Sequence, residues 1–339
     1  MSAYEVHVPR NIREAVGLMA SLKDAYFVAG GTKLMSLVKQ KKVVPKHLIS
    51  LKDLEDFRHI SQTNGLRLGS SATLSEVERD EVIIRQYTAL FDAVCNLGPP
   101  KIRATATVGG TICNVKPNMH LACSLLLFDP DVAIAGMSAP THQYGMEGKG
   151  GFLYGRFMGI EGFFLEGTMG AVRREELVKE FVLVPSRRPV GSVYIKIGQK
   201  KAEDLGISGV GVKVEVSTAE DLSLSGETLK NMTDLSDMLA FLQKSGLTFE
   251  DARIVAGRPV EAPIRMRDTE RIVKGQVLCN ALLDAVDSVA VNEVTPRTAP
   301  GVDRWYGKEI LKTLLKRAIK KAVDRAIRQD EGIRPEKAW

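Results

Sequence analysis

The chain has 339 residues, 44% hydrophobic and 26% charged, enough to bury the cores of two packed units. No stretch approaches the roughly 18–20 consecutive apolar residues of a membrane span, so no membrane span is expected. Residues 301–339 carry eleven Lys/Arg against six Asp/Glu, which is +5 of the net +6. The rest of the chain is nearly neutral and lacks the basic stripe of a nucleic-acid surface, which excludes nucleic acid as a partner.

In chain order, Tyr4–Val8 reads as a strand, and Asn11-Ile12-Arg13-Glu14 opens a helix in the manner of a capping box. The apolar strand Ala25–Val28 runs into Ala29-Gly30-Gly31-Thr32, and a helical stretch with Leu34, Leu37 and Val38 follows. A strand around Leu48–Leu51 precedes a second unit that begins with Leu66-Arg67-Leu68-Gly69 and the capping-box candidate Thr73-Leu74-Ser75-Glu76. One helix is expected from about Ile83 to Cys95, ending at Gly98-Pro99-Pro100, and Lys101–Thr107 leads into a second turn, Val108-Gly109-Gly110-Thr111. Residues 136–155, rich in Gly and without a period, read as a loop or insertion. Beyond Pro185, strands at Val193–Ile197 and Ile207–Val216 and helices near Leu235–Lys244 and Ala281–Val289 read as a separate α+β unit.

The clearest helix is Lys308 to Arg328, with Ile310, Leu311, Leu314, Leu315, Ala318, Ile319, Ala322 and Val323 in pairs spaced by four. Lys308, Lys312, Lys316, Lys320 and Arg325 are expected on its solvated face, and docking on the chain's own core is favoured over a membrane surface. The opening Met1–Val6 lacks a basic region followed by an apolar one, so the cytoplasm is the expected compartment. Cys95, Cys113, Cys123 and Cys279 form no Cys-x-x-Cys pair, and His7, His47, His59, His120 and His142 show no ligand spacing; no metal site is expected.

A strand followed by two glycines and a small hydroxyl residue lets backbone N–H groups converge on a phosphate, with no Cβ in the way. One such turn is commonplace. Two in the same N-terminal half suggest two loops gripping one pyrophosphate. Neither turn supplies Gly-x-Gly-x-x-Gly, and Gly148-Lys149-Gly150 lacks the upstream Gly and the Ser/Thr of a P-loop. No Gly-x-Ser-x-Gly, His-Glu-x-x-His or carboxylate pair offers unaided side-chain chemistry.

The runs Val28-Ala29-Gly30-Gly31-Thr32-Lys33-Leu34, Ile102 to Asn114, Gly162-Phe163-Phe164-Leu165 and Ser192-Val193-Tyr194-Ile195-Lys196 together resemble the FAD-binding (medium) subunits of the xanthine dehydrogenase and aerobic carbon monoxide dehydrogenase group. The resemblance implies an α+β fold: a vanillyl-alcohol-oxidase-type FAD-binding domain over 1–184, in subdomains of about 1–58 and 59–184. A smaller α+β domain over 185–300, of the carbon monoxide dehydrogenase flavoprotein C-terminal type, and a basic helix and tail over 301–339 would follow. Carried over by position, Val28, Ala29, Gly30, Gly31, Thr32, Lys33 and Leu34, with Thr107, Val108, Gly109, Gly110 and Thr111, would hold the pyrophosphate and ribityl chain of a noncovalent FAD. Asn114 falls in the second marker, Leu177 and Lys196 match later flavin contacts, and Tyr194 is a candidate near the isoalloxazine. Lys33 and His120 stand where the family usually has acidic residues; a neutral His120 could accept one ribityl hydroxyl bond.

The implied activity is electron transfer between partner [2Fe-2S] clusters and an external acceptor, whether NAD, ferredoxin or a quinone, with no catalytic side chain in this subunit. Molybdopterin and the clusters would reside only in an iron–sulfur subunit and a molybdopterin-binding subunit. The cysteine-free stretch 136–155 tells against an extra [4Fe-4S] cluster here. A flavin-free scaffold subunit that retains the fold is the alternative, and a free-standing flavin oxidase a third reading.

Overall fold

The computed structural model describes residues 4–113, 119–137, 153–165, 171–186, 190–197, 208–217, 246–257, 263–294 and 304–328. The chain divides into two interleaved units. Unit 1 comprises Met1–Val77, Pro99–Asn118 and Asp129–Pro185, and unit 2 Glu78–Gly98, Met119–Phe128 and Ser186–Trp339.

Unit 1 opens with a three-stranded parallel sheet of β1 (Glu5–His7), β2 (Ala25–Val28) and β3 (His47–Ser50), in the order β1-β3-β2. Helix Ile12–Ser21 starts where its cap predicts, Asn11 Oδ1 accepting from Glu14 N at 2.9 Å. The Glu14 carboxylate accepts from Arg10 N rather than from the cap residue. The helix buries Ala15, Val16 and Met19 in a core with Ile49, Leu54 and Phe57. Burial of this size contributes about 1.5–3 kcal/mol per large side chain.

The second sheet of unit 1 is antiparallel, with β4 (Ile60–Ser61), β5 (Leu66–Gly69), β6 (Asp131–Met137), β7 (Leu153–Gly159) and β8 (Glu176–Leu183) in the order β4-β5-β8-β6-β7. The expected loop at 136–155 is thus partly strand: Met137 pairs with Leu153 at the end of a ladder from Asp131↔Gly159, and residues 138–152 lie outside the described residues. The glycines hid the strand period, which only the cross-strand pairing fixes. The capping box at Thr73 closes as predicted, with Thr73 N donating to Glu76 Oε2 (2.7 Å) and Glu76 N to Thr73 Oγ1 (3.2 Å).

Unit 2 is built on a four-stranded antiparallel sheet of β9 (Val190–Ile197), β10 (Ser208–Val216), β11 (Phe249–Gly257) and β12 (Ile264–Arg265), in the order β12-β11-β10-β9. Helix Arg304–Ile327 lies on it, burying Leu311, Leu314, Leu315, Ala318, Ile319, Ala322 and Val323 with Val193, Val210, Val212 and Ile254. Gly191 permits the close approach, because a Cβ there would sit 1.7 Å from the Ala322 carbonyl oxygen. The expected docking of this helix on the chain's own core is found. Arg325 is a correction: its side chain is 9% exposed and paired with the fully buried Asp92, not on the solvated face. Periodicity assigns a face, but it does not show a buried carboxylate waiting beneath it.

The single helix expected from Ile83 to Cys95 is two, Glu81–Gln86 and Thr88–Cys95, broken at Tyr87 (φ −117°, ψ 48°). Asp80 caps the first, and Thr88 Oγ1 at the start of the second donates to the Ser192 carbonyl of β9 at 2.5 Å. That bond turns the second helix onto the sheet, a tertiary cause with no local signal. Helix Asn280–Glu293 extends the expected Ala281–Val289, while the helix expected near Leu235–Lys244 lies outside the described residues.

Candidate functional site

The first glycine turn leaves β2 at Val28. Gly31 adopts φ +67°, a conformation that other residues enter only with strain, and Lys33 returns to helical angles before the short helix Leu34–Lys39. The turn therefore curls its main chain. The N–H groups of Gly30, Gly31, Thr32, Lys33 and Leu34 meet no acceptor among the described residues. Successive N–H groups bent around one point form an anion cradle. Thr32 and Lys33 are exposed, and Lys33 has no acidic partner among the described residues, so its ammonium adds to the local positive potential. Val28, Ala29 and Leu34 are half-buried walls of the same segment.

Gly30 answers a different need. A Cβ on it would lie 1.9 Å from the Thr105 carbonyl oxygen, so it is glycine because the first turn is pressed against the approach to the second. The structure thereby brings the two predicted turns together within unit 1.

The second turn differs from expectation in kind. It is the first turn of a helix, Val108–Ile112, whose N-cap Thr107 accepts from Gly110 N at 3.1 Å. Val108 N donates to the Ala72 carbonyl, Gly109 N to that of Ser70 and Thr111 N to that of Thr107. These N–H groups are spent inside the fold, and Gly109 is small because a Cβ would meet Ser70 Cβ at 2.6 Å. The residues present thus fit a pyrophosphate at Gly30–Leu34 through N–H groups; at Thr107–Thr111 the fit is by close packing. The carbonyls of Thr105 and Ser70 that seat these glycines carry no sequence signal. Ser71, between Ser70 and Ala72, has a buried hydroxyl with no partner among the described residues.

Among the other predicted residues, Leu177 on β8 is 6% exposed and packs with Ala15, Val16 and Phe57 in the unit 1 core. Asn114 lies outside the described residues. In unit 2, His120 Nδ1 and the Tyr194 hydroxyl are 2.8 Å apart, with the residues 5% and 1% exposed. Tyr194 N also donates to Asp92 Oδ2, and Gly209 leaves room for the phenol, since its Cβ would be 2.2 Å from the hydroxyl oxygen. Lys196, half-buried on β9, donates to the Asn96 carbonyl at 3.3 Å. Cys123 is fully buried and burial pushes its thiol pKa well up, which makes it inert.

Two histidines that show no ligand spacing in the sequence lie side by side in the fold. Pairing of β1 with β3 sets Glu5 opposite His47, and the ligand atoms of Glu5, His7 and His47 lie within 4.8 Å of one another. The strand register that makes this cluster spans forty positions and leaves no local pattern.

A parallel three-stranded sheet and an antiparallel five-stranded sheet in one unit, a four-stranded antiparallel sheet with helices in the other, and a glycine turn whose N–H groups meet no acceptor among the described residues define an α+β protein with a candidate anion-binding turn. The family comparisons name it more closely. Residues 2–147 match the model for the FAD binding domain in molybdopterin dehydrogenase, and residues 238–322 the CO dehydrogenase flavoprotein C-terminal domain. The chain is 22% identical to the xanthine dehydrogenase FAD-binding subunit of Escherichia coli O157:H7, over 91% of this chain and 92% of that protein. Its fold superposes on a chain of carbon monoxide dehydrogenase from Hydrogenophaga pseudoflava with a TM-score of 0.75 at 21% identity, covering 95% of this chain and 98% of that one. A chain of quinoline 2-oxidoreductase from Pseudomonas putida 86 superposes with a TM-score of 0.76 at 17% identity, covering 96% and 98%. The chain belongs to the family of FAD-binding subunits of molybdenum hydroxylases that includes the xanthine dehydrogenase FAD-binding subunit and the carbon monoxide dehydrogenase medium chain. Among the described residues no helix is long and apolar enough to cross a membrane.

Proposed function

We propose that this chain is the electron-transferring flavoprotein of a multi-subunit molybdenum hydroxylase, working in the cytoplasm between partner [2Fe-2S] clusters and an external acceptor. The observation that carries the reading is the Gly30–Leu34 turn, whose N–H groups have no acceptor of their own among the described residues, in a chain of FAD-binding family. FAD, when bound, supplies exchange between one-electron and two-electron carriers.

This chain's residues bind and orient. The Gly30–Leu34 N–H groups receive the pyrophosphate, Lys33 adds a cation beside it, and Gly30 keeps that turn seated on Thr105. Thr107–Thr111 holds the neighbouring wall in place through Ser70 and Ala72. Asn114, Leu177, His120, Tyr194 and Lys196 stay in the proposal as flavin neighbours on resemblance alone. For Leu177 the main chain is the contacting part, since its side chain belongs to the core. The flavin is held noncovalently, and substrate chemistry belongs to the molybdopterin subunit.

A flavin-free scaffold subunit is the second reading, favoured by the spent N–H groups of the second turn and by Lys33 and His120. The experiment that tests the electron-transfer role is reconstitution. Alone, the chain binds FAD but shows negligible flavin reduction by heterocycle, aldehyde or thioester substrates; activity appears when the iron–sulfur and molybdopterin subunits are added. Robust substrate-dependent flavin reduction by the isolated chain contradicts the assignment and promotes a free-standing oxidase.

A further inference from the structure

We propose that Glu5, His7 and His47 form a binding site for a divalent transition metal of the zinc class on the three-stranded sheet of unit 1. Side chains two apart on a strand share a face, so Glu5 and His7 of edge strand β1 point the same way. The parallel register puts His47 of β3 directly opposite Glu5, on that face. His7 Nε2 lies 3.1 Å from His47 Nδ1, Glu5 Oε2 is 3.4 Å from His47 Nδ1 and 3.8 Å from His7 Nε2.

These spacings are those of metal ligands. A tetrahedral ion with bonds of about 2.0–2.1 Å separates its ligand atoms by ~3.3 Å, so an ion enters this triangle with shifts of a few tenths of an ångström. Two imidazoles and one carboxylate, with a fourth position open to water, are a zinc-type donor set; magnesium and calcium prefer all-oxygen shells. The two imidazole side chains are 19% and 23% exposed, which limits the rotamer freedom lost on binding, while Glu5 at 67% leaves an entry path. Lys46 beside the cluster is already paired with Asp24 at 3.0 Å.

The simpler reading is a histidine–histidine hydrogen bond with a Glu5 ion pair. That arrangement uses one lone pair and one N–H between the rings. Metal binding instead uses a lone pair on each facing nitrogen, which moves the shared proton to a ring nitrogen on the far side or to solvent. The bound ion ties edge strand β1 to β3, which in turn pairs with β2, the strand that enters the Gly30 turn. The site's role is to stabilise that sheet, and it stands independently of the flavin reading.

The test uses the full chain stripped with chelator and titrated with zinc chloride against a chromogenic competitor, with elemental analysis after desalting. Wild type is expected to retain one zinc per chain and to gain melting temperature, whereas magnesium has no effect. His7→Gln and His47→Gln each weaken zinc binding at least about ten-fold, with flavin occupancy unchanged. Ring-nitrogen NMR of the wild type alone must show zinc shifting both His7 and His47, which keeps the test valid if a variant fails to fold. Equal zinc affinity in wild type and both variants, unshifted ring nitrogens, or no zinc retained by the wild type overturns the proposal.

Discussion

Asp92 and Arg325, 233 positions apart, meet in a two-point ion pair, with Nη1 2.6 Å from Oδ2 and Nη2 2.9 Å from Oδ1. Asp92 also accepts from Tyr194 N, and Arg325 donates to the Ser192 carbonyl. Together they fasten helix Thr88–Cys95 and helix Arg304–Ile327 to the same strand, β9. Breaking such a buried pair from one side strands the remaining charge, at a cost of about 3–5 kcal/mol. Asp92→Asn and Arg325→Met are each expected to lower stability by that order in urea unfolding, while the double change Asp92→Leu with Arg325→Met recovers most of it. Single variants within about 0.5 kcal/mol of wild type would show that the pair is dispensable.

Gly30→Ala separates contact with protein from contact with phosphate. Its Cβ would sit 1.9 Å from the Thr105 carbonyl, so the chain without flavin should itself lose about 1–3 kcal/mol. Flavin occupancy and the melting temperature of the apo chain are expected to fall together. Loss of occupancy at unchanged apo stability would mean that the two turns are not in contact.

Lys33 offers the cleaner probe of anion binding, because it is exposed and has no partner among the described residues. Lys33→Glu should weaken FAD binding about ten-fold, or ~1.4 kcal/mol, and leave the apo melting temperature unchanged. Raising the salt concentration should shrink the difference. Equal affinities measured by FAD fluorescence at low salt would remove Lys33 from the site.

Glu180 supplies an acid limit for unit 1. Burial raises its pKa, but hydrogen bonds from Arg67 and His59 outweigh that and hold the carboxyl below its ordinary 4.5. Because the folded value lies below the unfolded one, this stabilisation is complete above about pH 4.5 and is lost as pH falls through the folded value. Glu180→Gln should flatten the decline in melting temperature below that point. An unchanged acid profile in the variant would show that other carboxylates control it.

Much of the fold was legible because its signals are local. Asn11 and Thr73 announce their helices by hydrogen-bonding groups three residues away, and the first glycine turn announces itself by Gly31, whose positive φ a larger residue resists. The second turn misled because its residues match the first in type while Thr107 caps them into a helix. Arg325 and the Glu5–His7–His47 cluster were hidden for a common reason: each depends on which elements pack together, two helices on β9 for Arg325 and two paired strands for the cluster, and contacts across such distances leave no mark on spacing. The break at Tyr87 likewise follows from a bond to Ser192, more than a hundred positions on.

The central claim is tested most directly by the flavin content of the purified full-length chain. Denaturation and precipitation should release FAD into the supernatant in a ratio near one per chain, leaving none on the pellet. A chain that carries no flavin and takes up none when FAD is added would contradict the account and leave the scaffold reading in its place.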